Sequence, residues 1–166
     1  MTIYERLKKI TTFCLDVDGV LTNSDLLIAN DGKLWRTMNA RDGLAMRWAI
    51  EHKYNVAIIT GGRNDSVAER LKALGVQDVF LAAFNKVNVI EKYMADKNLS
   101  KEEILFMGDD VIDLGVMKEA GFSACPYDAD TEVKKIADYI SPIKGGKGCV
   151  RDIIEKTLRL KGHWQF

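Results

Sequence analysis

The sequence predicts an α/β fold built on a mainly parallel sheet. Apolar runs of strand length alternate with stretches of helical periodicity. Most of these runs are continuous rather than alternating, as expected for strands covered on both faces. The chemistry-bearing polar residues cluster where the runs end, the edge at which open parallel sheets bind ligands.

The elements follow in order. Thr12–Asp16 is the first strand-like run. Asp25–Ala29 and Lys33–Met38 then flank Asn30-Asp31-Gly32, which is hairpin-turn chemistry, so a β-hairpin over about 25–38 should project just after the first strand. Gly43–His52 reads as a helix and Val56–Thr60 as a strand. Asp65–Leu74 places Val67, Leu71 and Leu74 on one helical side, with Gly75 as a stop. Val79–Phe84 is the next strand, and Lys86–Lys97 carries Val87, Ile90 and Met94 at helical spacing. Ser100 with Glu103 forms a capping-box pattern that leaves room for a single turn before the strand Ile104–Met107. Phe122–Cys125 and a short run at Tyr139–Ser141 complete the strands, and Ala129–Ala137 and Val150–Leu160 the helices.

A chain of 166 residues suggests one domain, 1–166, with a glycine-rich tail segment over about 144–166. Lys plus Arg and Asp plus Glu both number 24, a balance that argues against a nucleic-acid partner or a polybasic membrane surface. The first ten residues mix charged with apolar side chains and lack a signal-peptide core, and no apolar stretch approaches the roughly 20 residues of a membrane span. Cys14, Cys125 and Cys149 are widely spaced, so neither a zinc site nor a disulfide framework is indicated. Reduced thiols in a cytoplasmic protein are the expected state.

The first run ends in Asp16 and Asp18, followed at once by Gly19. Two carboxylates at i and i+2 point the same way on a regular strand, and need a cation, a shared proton or both. The second run ends in Thr60-Gly61-Gly62-Arg63, the third leads into Asn85-Lys86, and the fourth ends in Gly108-Asp109-Asp110 with Asp113 a turn later. Taken singly, each is compatible with an ordinary turn or helix start. An EF-hand loop fails, because it would want an oxygen ligand at Val20, a glycine at Leu21 and a glutamate at Leu27. Together the four strand ends supply phosphoryl-transfer chemistry. Mg²⁺ offsets the repulsion between a phosphate ester and an anionic nucleophile. One aspartate attacks phosphorus, and the other moves the proton of the leaving group and of the attacking water. Thr60 and nearby backbone N–H groups hold the phosphoryl oxygens, and Lys86 adds fixed positive charge.

The motifs Asp16-Val17-Asp18-Gly19-Val20, Thr60, Lys86 and Gly108-Asp109-Asp110-Val111-Ile112-Asp113, in this order, resemble those of the haloacid dehalogenase superfamily phosphatases over nearly the whole chain. The resemblance implies a Rossmann-like three-layer fold. It makes Asp16 the nucleophile and a Mg²⁺ ligand, Asp18 the acid/base and a ligand through its backbone carbonyl, and Asp109 the third protein ligand. Asp110 and Asp113 become supporting groups. Lys86 follows Thr60 by only 26 positions and only the hairpin follows the first motif, which implies no cap domain.

Within the capless members, Asn39-Ala40-Arg41-Asp42-Gly43, the Thr60–Arg63 turn and the segment Lys144–Asp152 resemble the 3-deoxy-D-manno-octulosonate 8-phosphate phosphatases of lipopolysaccharide precursor synthesis. Those enzymes are tetramers in which hairpins form a central barrel and a neighbour's tail helps close the site. Many relatives place Arg directly after Thr-Gly, whereas here Gly62 intervenes before Arg63. A sugar-acid phosphate needs cations beyond the catalytic lysine. The candidate substrate-binding set is therefore Asn39, Arg41, Asp42, Gly43, Arg47, Gly61, Gly62, Arg63 and Arg70. The loop with Gly145, Gly146 and Gly148 is expected to lie over an anionic ligand. The competing readings are a nine-carbon keto sugar acid 9-phosphate as substrate, and a non-catalytic oligomerisation or regulatory module.

Overall fold

The computed structural model describes residues 1–165. Phe166, the last residue of the expected tail segment, lies outside them. Six strands form one sheet in the order β5-β4-β1-β6-β7-β8, every neighbouring pair parallel: β1 (Thr12–Leu15), β4 (Asn55–Ile59), β5 (Asp78–Phe80), β6 (Ile104–Met107), β7 (Phe122–Cys125) and β8 (Tyr139–Ile140). Alternation along the central strands splits the core in two. Phe13, Leu15, Val56, Ile58, Leu105 and Met107 face one side, together with α2 (Ala40–Glu51), α3 (Asp65–Ala73) and α7 (Cys149–Leu160). Cys14, Ala57, Ile59, Ile104 and Phe106 face the other, against α4 (Lys86–Lys97), α5 (Leu114–Glu119) and α6 (Thr131–Ile136). Continuous apolar strands covered on both faces are thus the physical content of a three-layer α/β architecture.

The hairpin β2 (Leu27–Ile28) and β3 (Leu34–Trp35) is a separate antiparallel pair, shorter than the expected runs. Its residues Leu26, Leu27, Ile28, Leu34 and Trp35 are exposed. A two-stranded ribbon of that kind has little independent stability in water.

Several boundaries move for local reasons. The strand expected to run to Asp16 stops at Leu15, because the Asp16 side chain turns back to accept its neighbour's N–H (Val17 N, 2.7 Å). α2 begins at Ala40 rather than Gly43, because Asn39 Oδ1 accepts the N–H of Arg41 (2.8 Å) and caps the helix. The strand expected over Val79–Phe84 ends at Phe80. Its partner β4 ends at Ile59, and the next N–H groups, of Ala82 and Ala83, bond instead to the loop carbonyls of Gly62 (3.0 Å) and Thr60 (2.9 Å). That bend delivers Lys86 to the sheet edge. Two short helices lie outside the expected elements, α1 (Ile3–Leu7) and α5. As anticipated, a single turn, Lys101–Glu103, precedes β6, and the Glu103 carboxylate reaches back to the Ser100 N–H (3.0 Å).

The expected C-terminal tail is mostly core. α7 buries Cys149, Val150, Ile153, Ile154, Thr157 and Leu158 and packs against α2. The residues after it are tucked down as well. Trp48 Nε1 donates to the His163 carbonyl (2.8 Å), Tyr54 O–H lies 3.0 Å from His163 Nδ1, and the His52 and His163 rings stack at 5.8 Å. Tyr54 directly precedes β4, so this clasp sits at the amino-terminal edge of the sheet, opposite the edge that carries Asp16 and Thr60. Replacing Ile153, fully buried on α7, by Ala should cost about 2–5 kcal/mol of unfolding free energy in a urea titration. A cost under about 1 kcal/mol would mean that α7 is peripheral.

Candidate active site

Five segments converge at the carboxyl edge of β1, β4 and β6. After Leu15 the chain enters a broken helical turn, Val17–Leu21, in which Asp18 is extended (φ −72°, ψ 116°) and Gly19 left-handed (φ +91°). A Cβ on Gly19 would fall 1.9 Å from Asp109 Oδ2, so this position must be glycine for Asp109 to approach from across the sheet. Asp16 and Asp18 consequently do not point together, as they would on a regular strand. Asp16 turns inward and Asp18 toward the hairpin.

The inner group is Asp16, Asp109 and Asp113, each of which offers a carboxylate oxygen within 4.8 Å of the others. Lys86, buried at the start of α4, ties two of them: its Nζ lies 2.9 Å from Asp16 Oδ2 and 2.7 Å from Asp113 Oδ1. Burial alone would lower its pKa, but Asp16 and Asp113 outweigh burial and hold the ammonium above its usual range. Asp113 is fully buried, and its second oxygen accepts the N–H groups of Asp109 (3.0 Å) and Asp110 (3.4 Å), fixing that loop. Burial, then repulsion from Asp113, raises Asp16 despite Lys86. Burial, then repulsion from Asp16 and Asp113, pushes Asp109 up to about 8. Asp109 Oδ1 is buried with no hydrogen-bond partner. One ammonium does not neutralise three converging carboxylates, and the residues fit a hard divalent cation that Asp16 and Asp109 would hold.

Thr60 is buried at the end of β4, and its Oγ1 accepts the Gly62 N–H (3.2 Å). Thr60, Gly61 and Gly62 line an open pocket of about 270 Å³ with Asp16, Asp18, Asp109 and Asp110. Asp110 is itself exposed and caps the next turn through the Val111 N–H.

Sequence reasoning missed Arg36. It leaves β3 and crosses to Asp18 in a two-pronged pair, Nε to Oδ1 at 2.5 Å and Nη2 to Oδ2 at 3.0 Å, with its side chain only 7% exposed. No local pattern marked it, because its partner Asp18 lies 18 positions earlier in the chain. Behind it opens a larger cavity of about 800 Å³, walled by the hairpin from Gly32 to Met38 and by Gly62–Val67 and Arg70. The two cavities share Gly62. Arg63 and Arg70 border the larger one, both exposed, and no ion pair engages either among the described residues.

Other candidates are placed elsewhere. Asn39 is spent on the α2 cap, Arg47 pairs with Glu51 (3.1 Å), and Gly43 packs beside Leu74 and Arg70. Arg41 is exposed and lines neither cavity. Asp42 is buried, and its Oδ1 accepts the Arg151 N–H at the start of α7 (2.7 Å). The glycine loop does not cover the pocket. It presses on the backbone of the Asp18 turn, with Gly146 N–H donating to Val20 O at 2.9 Å.

A parallel sheet bringing an Asp-x-Asp turn, a threonine, a lysine and an Asp-Asp loop to one edge defines a hydrolase of the haloacid dehalogenase class. A family model for haloacid dehalogenase-like hydrolases matches residues 72–151. The 3-deoxy-D-manno-octulosonate 8-phosphate phosphatase of Escherichia coli K12 is 32% identical over 96% of this chain and 85% of its own length. The crystal structure of the Yersinia pestis phosphatase of the same name superposes with a TM-score of 0.94 at 30% identity, covering 97% of this chain and 87% of that one. The Moraxella catarrhalis phosphatase, solved with magnesium ion, phosphate ion and KDO, gives 0.92 at 28% identity, covering 95% and 91%. The chain belongs to the 3-deoxy-D-manno-octulosonate 8-phosphate phosphatase family of haloacid dehalogenase-like hydrolases.

Burial, opposed by the Arg151, Gly148 and Val150 N–H groups, raises the Asp42 pKa from 3.8 to about 6. A pKa raised on folding contributes stability that is complete below the unfolded value and lost as pH rises through the folded one. The stability of Asp42→Asn relative to the native chain should therefore grow by about 2–3 kcal/mol between pH 4 and pH 7, measured by urea unfolding. A pH-independent difference would mean that Asp42 is not ionised against burial.

Proposed function

We propose that the protein is a Mg²⁺-dependent phosphatase that hydrolyses 3-deoxy-D-manno-octulosonate 8-phosphate to the free sugar acid and phosphate, in lipopolysaccharide precursor synthesis. The observation that carries the chemistry is the buried Asp16–Lys86–Asp113 array beside the unpartnered oxygen of Asp109. Bound Mg²⁺ supplies charge neutralisation between the anionic nucleophile and the phosphate.

Asp16 Oδ1 accepts the Val17 N–H, and Oδ2 faces Lys86. These contacts hold one carboxylate oxygen ready to attack phosphorus and form an aspartyl-phosphate. The Asp18 backbone carbonyl completes the protein's ligands. Once protonated, its carboxyl group gives that proton to the leaving alkoxide, and the carboxylate left behind takes a proton from the attacking water. Both Asp18 oxygens accept from Arg36, so one must be released first, and an anionic substrate is the group able to draw Arg36 away. Thr60 Oγ1 and the Gly61–Gly62 backbone hold the phosphoryl oxygens. Lys86 stays positively charged under its two carboxylates and stabilises the charge that develops.

The substrate assignment rests on the family relatives and on the larger cavity. A phosphate in the Thr60–Gly62 pocket leaves the sugar-acid body to extend past Gly62 toward Arg63 and Arg70. The extra glycine sets Arg63 one residue further out than in many relatives, which keeps the nine-carbon keto acid 9-phosphate as the close competitor. The exposed apolar hairpin supports a homotetramer in which ribbons pack together. No described helix is long and apolar enough to cross a membrane, and we read the enzyme as cytoplasmic.

Phosphate release from the eight-carbon ester with Mg²⁺ should exceed that from the nine-carbon ester and stop on adding EDTA. The reverse preference would move the assignment to the competitor. Asp16→Asn should fall by about 10⁴-fold or more with its fold intact by circular dichroism. Elution from a sizing column should match four chains, and a monomeric volume would remove the barrel from the proposal.

A further inference from the structure

The glycine loop expected to close over ligand does something else in this fold. Val20, two residues beyond Asp18, is fully buried, and its carbonyl accepts two donors from that loop: the Gly146 N–H at 2.9 Å and the Cys149 S–H at 3.3 Å. The approach is closer than any side chain would permit. A Cβ on Gly145 would fall 1.9 Å from the Gly19 carbonyl oxygen, and one on Gly146 2.6 Å from the Thr22 carbonyl carbon. Gly146 is also left-handed, with φ +65°. From inside the turn, Thr22 N–H returns to Val17 O (3.0 Å) and Thr22 Oγ1 donates to the same carbonyl (3.3 Å).

The loop is itself anchored at both ends. Gly145 N–H donates to Asp128 Oδ1 (2.9 Å), beyond β7. Arg151 N–H donates to Asp42 Oδ1, and Asp42 Oδ2 is buried without a partner. The Asp42 carboxylate thus sits under the first turn of α7 and ties it to α2.

We infer that the loop Lys144–Gly148 is a brace against the turn that carries Asp18, making Gly145, Gly146 and Cys149 positioning residues for the phosphatase reaction. The inference rests on the reading of Asp18 given above. Asp18 needs it more than Asp16 does, because Lys86 and the Val17 N–H pin Asp16 directly. The Asp18 segment leaves the sheet, contains a left-handed glycine and, among the described residues, has only Arg36 hydrogen-bonded to its carboxylate. The brace sets the direction of the Asp18 carbonyl toward the metal and of its carboxylate toward the leaving group.

The test compares three variants of the full chain by steady-state kinetics and by the thermal shift that Mg²⁺ alone induces. Gly146→Ala displaces the turn. Cys149→Ala removes the thiol donor together with its buried sulfur. Gly162→Ala imposes a similar left-handed strain (φ +72°) in open space after α7, at the other sheet edge. Gly146→Ala should lower kcat by about 100-fold with KM within about threefold of the native value, and raise the Mg²⁺ concentration at half-maximal thermal shift. Cys149→Ala should do the same more weakly, by severalfold. Gly162→Ala should lower Tm alone. Native kcat and Mg²⁺ midpoint in the first two variants would overturn the brace, whatever their Tm. If Gly146→Ala yields no folded protein, Cys149→Ala decides by the same criterion. A native enzyme without Mg²⁺-dependent phosphate release would refute the proposed function instead, a result distinct from either.

Discussion

Everything at the catalytic edge follows from bringing carboxylates together where water is scarce. Asp16, Asp109 and Asp113 meet around one lysine, and their mutual repulsion would open the edge were it not countered. Each remaining feature of the edge manages that charge. Lys86 is buried between two carboxylates and stays cationic. Asp113 spends its second oxygen on the Asp109–Asp110 backbone. Asp18 is separated from the group by a broken turn and given to Arg36. What is left over is one buried oxygen on Asp109 without a partner, where a divalent cation completes the balance.

The scaffold makes such a concentration tolerable. Each acid stands just past the end of a buried parallel strand, on backbone that the strand and its neighbours hold rigidly. β1 lies between β4 and β6, so Asp16, Thr60 and the Asp109–Asp110 loop arrive on adjacent strands. Glycines govern how closely these loops meet. Gly19 admits Asp109, and Gly145 and Gly146 admit the loop that presses on the Asp18 turn. The hairpin contributes from outside the sheet through Arg36, and walls the larger cavity. One small projection thereby serves the site while leaving an apolar face exposed.

The order and type of the long elements were legible because periodicity and continuous apolar runs survive in sequence. So were Asp16, Thr60, Lys86 and Asp109, since residues just past strand ends share an edge whatever the loop details. Less legible were residues whose role depends on a partner distant in the chain. Asp42 looks like a substrate group in Asn39-Ala40-Arg41-Asp42-Gly43, yet it is buried beneath α7, 109 positions away. Asn39 is consumed by its own helix. Arg36 resembles any hairpin cation until its ribbon folds back on Asp18.

The sequence by itself determined the layered α/β architecture, the hairpin and the set of side chains that meet at one sheet edge, because local propensity and strand-end position are encoded within a few residues. Only the tertiary structure decided how those side chains divide their work. Asp16 and Asp18 are two positions apart, yet one faces a buried lysine and the other a largely buried arginine fork, because the strand ends at Leu15 and the chain turns at Val17 between them. It likewise placed the glycine loop against the backbone of the turn that carries Asp18. Contacts between Val20, Gly146 and Cys149 span the whole sheet in sequence, and no local pattern records them.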